Sequence, residues 1–169
     1  WDSNEELKLV ADISIFPNFL AAFAGLGDDG MDTGKEMLLD ALYLTLQNIS
    51  ANSPIDLSTA VWAPNVASSP TINQFNLGWR PGADRIVIVF SDEKPQSYLV
   101  PKVTTQQAIL TCQAAPKTKV YTFSTNQMWE WDEISDACQG VYFNLTNNAI
   151  DMYNSLMQIL DEICAAPEE

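Results

Sequence analysis

Histidine is absent from the 169-residue sequence, and basic residues are few. Without an imidazole the chain cannot build a His-ligated zinc site or a Ser-His or Cys-His nucleophile pair. Eight Lys and Arg against 22 Asp and Glu give a net charge of −14, which repels phosphate backbones and anionic membranes. We therefore expect no nucleic-acid partner and no enzyme of the common His-dependent classes. A metal site in such a chain would favour hard cations on oxygen ligands.

Long apolar runs are also missing. None reaches the roughly 18–20 residues that span a bilayer, so no membrane span is expected. The chain opens at Trp1 with neither an initiator Met nor a signal peptide, which indicates a mature product or a fragment. The length fits a single domain over residues 1–169, and 47% apolar residues with 18% charged residues is an ordinary globular composition.

Strand and helix patterns alternate along the second half of the chain. Arg85–Phe90 is a continuous apolar run, which suits a strand that is covered on both faces. After it we expect a helix over 104–115, a strand over 119–123, a helix over 130–137, a strand over 140–143 and an amphipathic helix over 149–164, capped by Thr146 or Asn147. This alternation predicts an α/β domain with a mostly parallel central sheet and helices on both faces.

The first half is less regular. A strand is expected over Leu7–Phe16, and a helix over 34–49 that the capping-box form Thr33-Gly34-Lys35-Glu36 would start. Residues 50–84 carry four prolines, many Ser and Asn, and the aromatics Trp62 and Trp79. We expect a long irregular insertion whose aromatic residues pack down on the body of the domain.

Asp92 is the first candidate for chemistry. In an open α/β sheet, ligands bind beyond the carboxyl ends of the strands, and Asp92 comes directly after the predicted strand 85–90. A carboxylate at that place can bind a divalent cation, or it can simply form a turn.

The order of these elements resembles the C-terminal two-thirds of a von Willebrand factor A (vWA) domain, over about residues 7–164. The parts that carry the resemblance are Gly30-Met31-Asp32-Thr33-Gly34 before a helix, the strand that ends in Ser91-Asp92, and the closing helix that ends at Cys164. Members of that family bind protein ligands through a metal-ion-dependent adhesion site, built from an Asp-x-Ser-x-Ser loop, a Thr loop and an Asp loop. The resemblance therefore implies a Rossmann-like fold and a non-catalytic recognition or adhesion module that binds a protein or cell-surface ligand. It also implies an extracellular or cell-surface location.

Carried over residue by residue, the resemblance implies an incomplete site for Mg²⁺ or Ca²⁺. Asp92 matches the Asp loop, and Thr33 matches the Thr loop, with Asp32 as an alternative ligand. The Asp-x-Ser-x-Ser loop is missing. The string nearest to it holds Asp12 and Ser14, with Phe16 in place of the second Ser.

Two explanations of the missing loop stay open. In the first, Leu7–Phe16 is the family's third strand, and the chain lacks the first strand, first helix and second strand. In the second, Asp12 and Ser14 form an altered metal loop on the first strand. Spacing favours truncation, because the 21 residues from Asp12 to Thr33 are too few for a helix and two further strands. A truncated chain would be expected to pair residues 7–15 with Arg85–Phe90. The alternative function is a structural or assembly module with a vestigial metal site, binding through the 50–84 insertion.

The three cysteines, at positions 112, 138 and 164, form no Cys-x-x-Cys pair, which argues against a zinc or redox motif. They are either one disulfide with a third cysteine whose partner lies elsewhere, or three buried thiols. The favoured pair is Cys112–Cys138, because the helices near them flank one strand and could lie on the same face of the sheet. Two triplets, Asn48-Ile49-Ser50 and Asn144-Leu145-Thr146, match the short N-glycosylation pattern.

Overall fold

The computed structural model describes residues 37–63, 73–79, 82–125 and 128–165. Along the chain the elements are α1 (Leu38–Ala51), β1 (Ile55–Asp56), β2 (Gln74–Phe75), β3 (Arg85–Ser91), α2 (Thr105–Ala114), β4 (Thr118–Ser124), α3 (Trp129–Ala137), β5 (Tyr142–Asn144) and α4 (Ala149–Cys164). The predicted strand 7–16, its expected pairing with Arg85–Phe90, and the capping box at 33–36 lie outside the described residues. Within the described ranges, no helix has the length and apolar character needed to cross a membrane.

The central sheet is parallel, with the strand order β3-β4-β5. Its middle strand β4 is the most deeply buried part of the fold, because side chains from Val120 to Phe123 are fully enclosed. Helices cover both faces of β4, as an apolar strand of a parallel sheet requires. In β3, for which the sequence also predicts cover on both faces, that cover is incomplete, because Ile88 and Phe90 are 38% and 36% exposed. The α/β class and the parallel sheet predicted from the sequence are confirmed.

Side chains that alternate along β4 enter two different clusters. Val120 packs with residues of α1, α2 and α3, including Leu46, Ile109 and Ile134. Tyr121 and Phe123 point to the opposite face, where they meet Ile159 of α4. On that face Phe90, Phe123 and Phe143 stack across the three strands, with ring centroids 4.8 and 4.9 Å apart. In the part of the chain that the structure describes, three helices therefore cover one face of the sheet and the amphipathic α4 covers the other.

Helix ends follow local side-chain chemistry. Thr104, the predicted first residue of α2, is instead its N-cap and forms a capping box with Gln107. The expected cap of α4 is corrected: Asn148, not Thr146 or Asn147, is the N-cap and accepts a hydrogen bond from the Ile150 amide. Thr146 instead accepts from the Asn148 amide, so it orders the turn one step earlier. The helix α1 is described from Leu38, later than the predicted start at Gly34, and continues to Ala51.

The described part of the 50–84 insertion packs on the domain, as expected. Its strands β1 and β2 pair antiparallel, and Leu57 is buried against Leu44 of α1. Trp62 joins this cluster and forms an isolated antiparallel bridge with Leu99. The insertion is thus tied both to α1 and to the segment that follows β3.

The predicted disulfide is present between Cys112 of α2 and Cys138, which ends α3, with the Cα atoms 5.9 Å apart. Both sulfurs belong to buried residues in the cluster that covers one face of β4. Cys164 is exposed and is the free cysteine of the described residues. The bond links two helices of the same layer across the strand between them, as the flanking arrangement predicts.

Candidate functional site

The loop that follows β3 has hydrogen-bonded backbone carbonyls and an exposed carboxylate residue. Asp92 lies at the carboxyl edge of the sheet and is exposed. Its carbonyl accepts a hydrogen bond from Thr125 Oγ1 at 3.2 Å, at the end of the neighbouring strand β4. The next carbonyl, of Glu93, accepts from the buried indole Nε1 of Trp131 at 2.8 Å and from Ser91 Oγ at 2.8 Å. Backbone contacts from three sides therefore fix the position of Asp92.

A buried carboxylate, Asp40, anchors the continuation of that loop. It lies in the first turn of α1 and is 1% exposed. Its two oxygens accept hydrogen bonds from Ser97 Oγ at 2.5 Å and from the Tyr98 amide at 2.6 Å. Ser97 Oγ in turn accepts from the Val103 amide at 2.8 Å. The first turn of α1 therefore lies against the segment between Asp92 and α2.

Desolvation dominates the chemistry of Asp40. Burial raises the pKa of this carboxyl above its usual 3.8, and the hydrogen bonds from Ser97 and Tyr98 oppose that rise. A negative charge in a buried place is tolerated only where donors surround it. Asp40 meets that condition with two donors from one loop, which identifies it as a structural anchor.

Acidic groups dominate the electrostatic field of the carboxyl edge. The pKa of Tyr98 is raised by burial, and further by the charges of Asp40 and Glu93. The pKa of Tyr142 is raised by burial and then by Asp132. Two lysines of the described residues lie nearby: Lys94, whose Nζ is 3.9 Å from Glu130, and Lys102, whose charge lowers the pKa of Asp40.

Basic side chains are concentrated at the opposite edge of the sheet. There Lys117 lies 4.0 Å from Asp84, and Lys119 pairs with Glu162 at 2.5 Å. These four residues line a cavity of about 470 Å³. Because its lysines already have carboxylate partners, the cavity offers no unpaired cation, and the acidic carboxyl edge is the better candidate for a ligand.

The predicted metal residues are only partly within the described ranges. Asp92 lies where it was expected, at the end of a strand and open to solvent. Thr33, Asp32, Asp12 and Ser14 lie outside the described residues. Among the residues that the structure describes, no three His, Cys, Asp or Glu side chains are grouped as a metal site would require. Asp92 alone falls short of the roughly six oxygen ligands that Mg²⁺ or Ca²⁺ takes.

Two contributions to the site were missed by sequence reasoning. Asp40 is a lone acid among apolar neighbours of an amphipathic helix, and that pattern is its only signal in the sequence. Trp131 belongs to an aromatic group with Tyr121, Phe123 and Trp129, and in the sequence such a group predicts packing in the core or at its rim. Three of the four are fully buried, whereas Trp129 is 65% exposed. The indole of Trp131 also holds the Asp92 loop.

Comparison of the chain with family models, with curated proteins and with solved structures finds no match. Function is therefore inferred from the residues themselves. The strongest chemical feature among the described residues is the carboxyl edge, where Asp92 is exposed on a fixed loop in an acidic field.

Proposed function

We propose that this chain is a non-catalytic recognition module, similar to a vWA domain, that binds a protein or surface ligand at the carboxyl edge of its sheet. The observation that carries the proposal is Asp92, an exposed carboxylate residue whose loop is fixed by Thr125, Trp131 and Ser91. A binding group on a fixed loop keeps its geometry without a ligand, which reduces the entropy cost of binding.

The vWA resemblance extends the proposal to a divalent cation. Asp92 would bind Mg²⁺ or Ca²⁺ together with Thr33 or Asp32, and with Asp12 and Ser14 if they form an altered metal loop. The cation would supply a positive centre that accepts an acidic group of the ligand. This would allow a chain of net charge −14 to bind acidic partners.

The proposed location is extracellular or at a cell surface. The Cys112–Cys138 disulfide supports it, because such bonds persist in oxidising compartments and are rare in the cytosol. The absence of histidine from the sequence supports a non-catalytic role, since a hydrolase here would depend on Asp or Glu with a metal.

A cation titration tests the proposal. Thermal unfolding of the wild-type chain is followed with increasing MgCl₂ or CaCl₂, beside Asp92→Asn and the control Asp136→Asn. Asp136 is another exposed acid, on α3. A bound ion at a hundred times its Kd adds about 2.7 kcal/mol to the free energy of unfolding. We expect stabilisation of the wild type and of Asp136→Asn, and none of Asp92→Asn. An equal response of all three, or no response, would contradict cation binding at Asp92.

A second candidate is the structural or assembly module that binds through the insertion. One observation favours it: Val61 is 58% exposed and Val100 is 50% exposed, and a 2.7 Å backbone hydrogen bond joins the two residues. They form an exposed apolar pair where the insertion meets the loop after β3. Binding of a surface ligand that survives EDTA and Asp92→Asn, but is lost in Val61→Asp, would favour this alternative.

A further inference from the structure

The structure separates the two N-glycosylation triplets of the sequence. Asn48 lies within α1, is 1% exposed, and uses its whole side-chain amide. Its Nδ2 donates to the Ser53 carbonyl at 2.8 Å and to Asn76 Oδ1 at 3.3 Å, while its Oδ1 accepts from the Leu77 amide at 3.1 Å. These bonds tie the end of α1 to the insertion. A sugar on Nδ2 would fill the place of these partners, so the folded chain excludes it.

Asn144 has the opposite surroundings. It is the last residue of β5, is exposed, and leads into the short connection before α4. The triplet therefore runs from a strand end into a surface loop, the usual setting of this pattern in secreted proteins. Thr146, the hydroxyl residue of the triplet, is not buried, and its Oγ1 accepts a 3.1 Å hydrogen bond from the Asn148 amide.

We propose that Asn144 carries an N-linked glycan when the chain passes through a eukaryotic secretory pathway, and that Asn48 does not. The donor is a polyprenyl-diphosphate-linked oligosaccharide. A bond forms between Asn144 Nδ2 and the anomeric carbon of the first sugar, and the bond from that carbon to the diphosphate oxygen breaks. Nδ2 loses one proton, and the lipid diphosphate leaves. The Cys112–Cys138 disulfide is consistent with the same oxidising compartment.

A glycan at Asn144 would stand beside the carboxyl edge. Asn144 ends β5 and Asp92 follows β3, the two strands on either side of β4, and two strand spacings are about 10 Å. The sugar would therefore flank the β5 side of this edge and leave its β3 side open. This inference does not depend on the proposed ligand-binding function, because acceptor chemistry needs only the exposed triplet.

The test is expression of the full 169-residue chain behind a cleavable secretion signal in a eukaryotic host. Intact mass before and after peptide N-glycosidase counts the glycans, and deglycosylation in heavy-oxygen water marks the modified Asn for peptide sequencing. The variants are Asn144→Gln, Thr146→Ala, Thr146→Ser and Ser50→Ala. Ser50 is exposed, so Ser50→Ala removes the Asn48-Ile49-Ser50 triplet without changing the buried Asn48.

We expect one glycan on the wild type, on Asn144. It should persist in Ser50→Ala and in Thr146→Ser, which keeps both the triplet and the hydroxyl that caps the turn. It should be absent from Asn144→Gln and Thr146→Ala. Secreted wild-type chain without a glycan would overturn the proposal, and so would a glycan on Asn48 or one that Thr146→Ala retains. Circular dichroism of each secreted variant confirms that the folded chain is being compared.

Discussion

Replacement of Asp40 by Ala is the sharpest test of how the candidate site is held in place. The variant removes both acceptors that bind the loop between Asp92 and α2, while Ala keeps the helix propensity of α1 high. The hydroxyl of the buried Ser97 and the amide of the half-buried Tyr98 would then lose their acceptor. We therefore expect the loop to detach from α1, with a loss of stability.

The magnitude follows from two opposing effects. A buried donor without a partner costs about 1–3 kcal/mol, so two donors cost about 2–6 kcal/mol together. Burial of the Asp40 carboxyl also costs free energy, as its raised pKa shows. Its removal eliminates that cost and offsets part of the loss. We expect a net loss of about 2–4 kcal/mol in the free energy of unfolding. Asp40→Asn keeps one acceptor oxygen and the shape of the side chain, so its loss should be about half as large.

Urea unfolding at neutral pH measures these losses, provided that the m-value stays constant. Asp136→Ala removes an exposed acid and should change stability by less than about 0.5 kcal/mol. Native-state hydrogen exchange should show lost protection at the Tyr98 and Val103 amides in Asp40→Ala, with β4 unaffected. A loss below about 1 kcal/mol, or equal losses for Ala and Asn, would refute the anchoring role.

The same residue predicts a pH effect of defined sign. Because the folded-state pKa of Asp40 is raised, its protonated form is favoured in the folded chain. The resulting stabilisation is complete below the ordinary pKa of 3.8 and is lost as the pH rises through the folded-state pKa. The stability of the wild type relative to Asp40→Asn should therefore increase when the pH falls from neutral to about 3.5. A constant difference would contradict this assignment.

Three further predictions concern the body of the fold. The double variant Cys112→Ala/Cys138→Ala opens the covalent loop between residues 26 positions apart. It should lower the free energy of unfolding, measured in guanidinium, by about 3.5 kcal/mol. A loss below about 1 kcal/mol would contradict the chain-entropy account. In Gly140→Ala the added Cβ would lie 2.6 Å from the carbonyl carbon of Val120 and overlap its oxygen. We expect the free energy of unfolding in urea to fall by more than about 2 kcal/mol. An unchanged stability would contradict this packing. Burial raises the pKa of Tyr121 to about 12, so the stability of the folded chain should fall between about pH 10 and 12. Tyr121→Phe should weaken that fall. An unchanged pH profile in this variant would argue against Tyr121 as its source.

Regular elements could be predicted because their signals are local. The apolar run over Arg85–Phe90 specifies a strand, and the apolar stripe of 149–164 specifies an amphipathic helix. The structure bounds both within about one residue of the prediction. The Cys112–Cys138 bond could be predicted for a similar reason, because two helices that flank one strand can pack on the sheet in few ways. Helix caps were less certain, because Thr146, Asn147 and Asn148 are all capping residue types and only backbone geometry selects Asn148.

The candidate site was predictable only in part. The position of Asp92 follows from strand order alone, because carboxyl ends of parallel strands share one edge. Asp40 could not be paired with Ser97 from sequence, since 57 positions separate them and a buried acid in a helix has no pattern that names its partner. The Trp131 indole that holds Glu93 is hidden for the same reason: its ring is an ordinary core side chain, and only the fold shows where its N–H points.

The parallel arrangement of β3, β4 and β5 also determines how the domain can fold. Each neighbouring pair of these three strands is separated in the chain by a helix, so within this described part of the sheet no hairpin can form first and act as a template. The central β4 gains its enclosure only after α2, α3 and α4 have docked on its two faces. Pairing between strands that are distant in the sequence slows folding, because the chain loses loop entropy before the compensating contacts form. Closure of the Cys112–Cys138 loop removes part of that entropy in advance, so refolding from the oxidised chain should be faster than from the reduced chain.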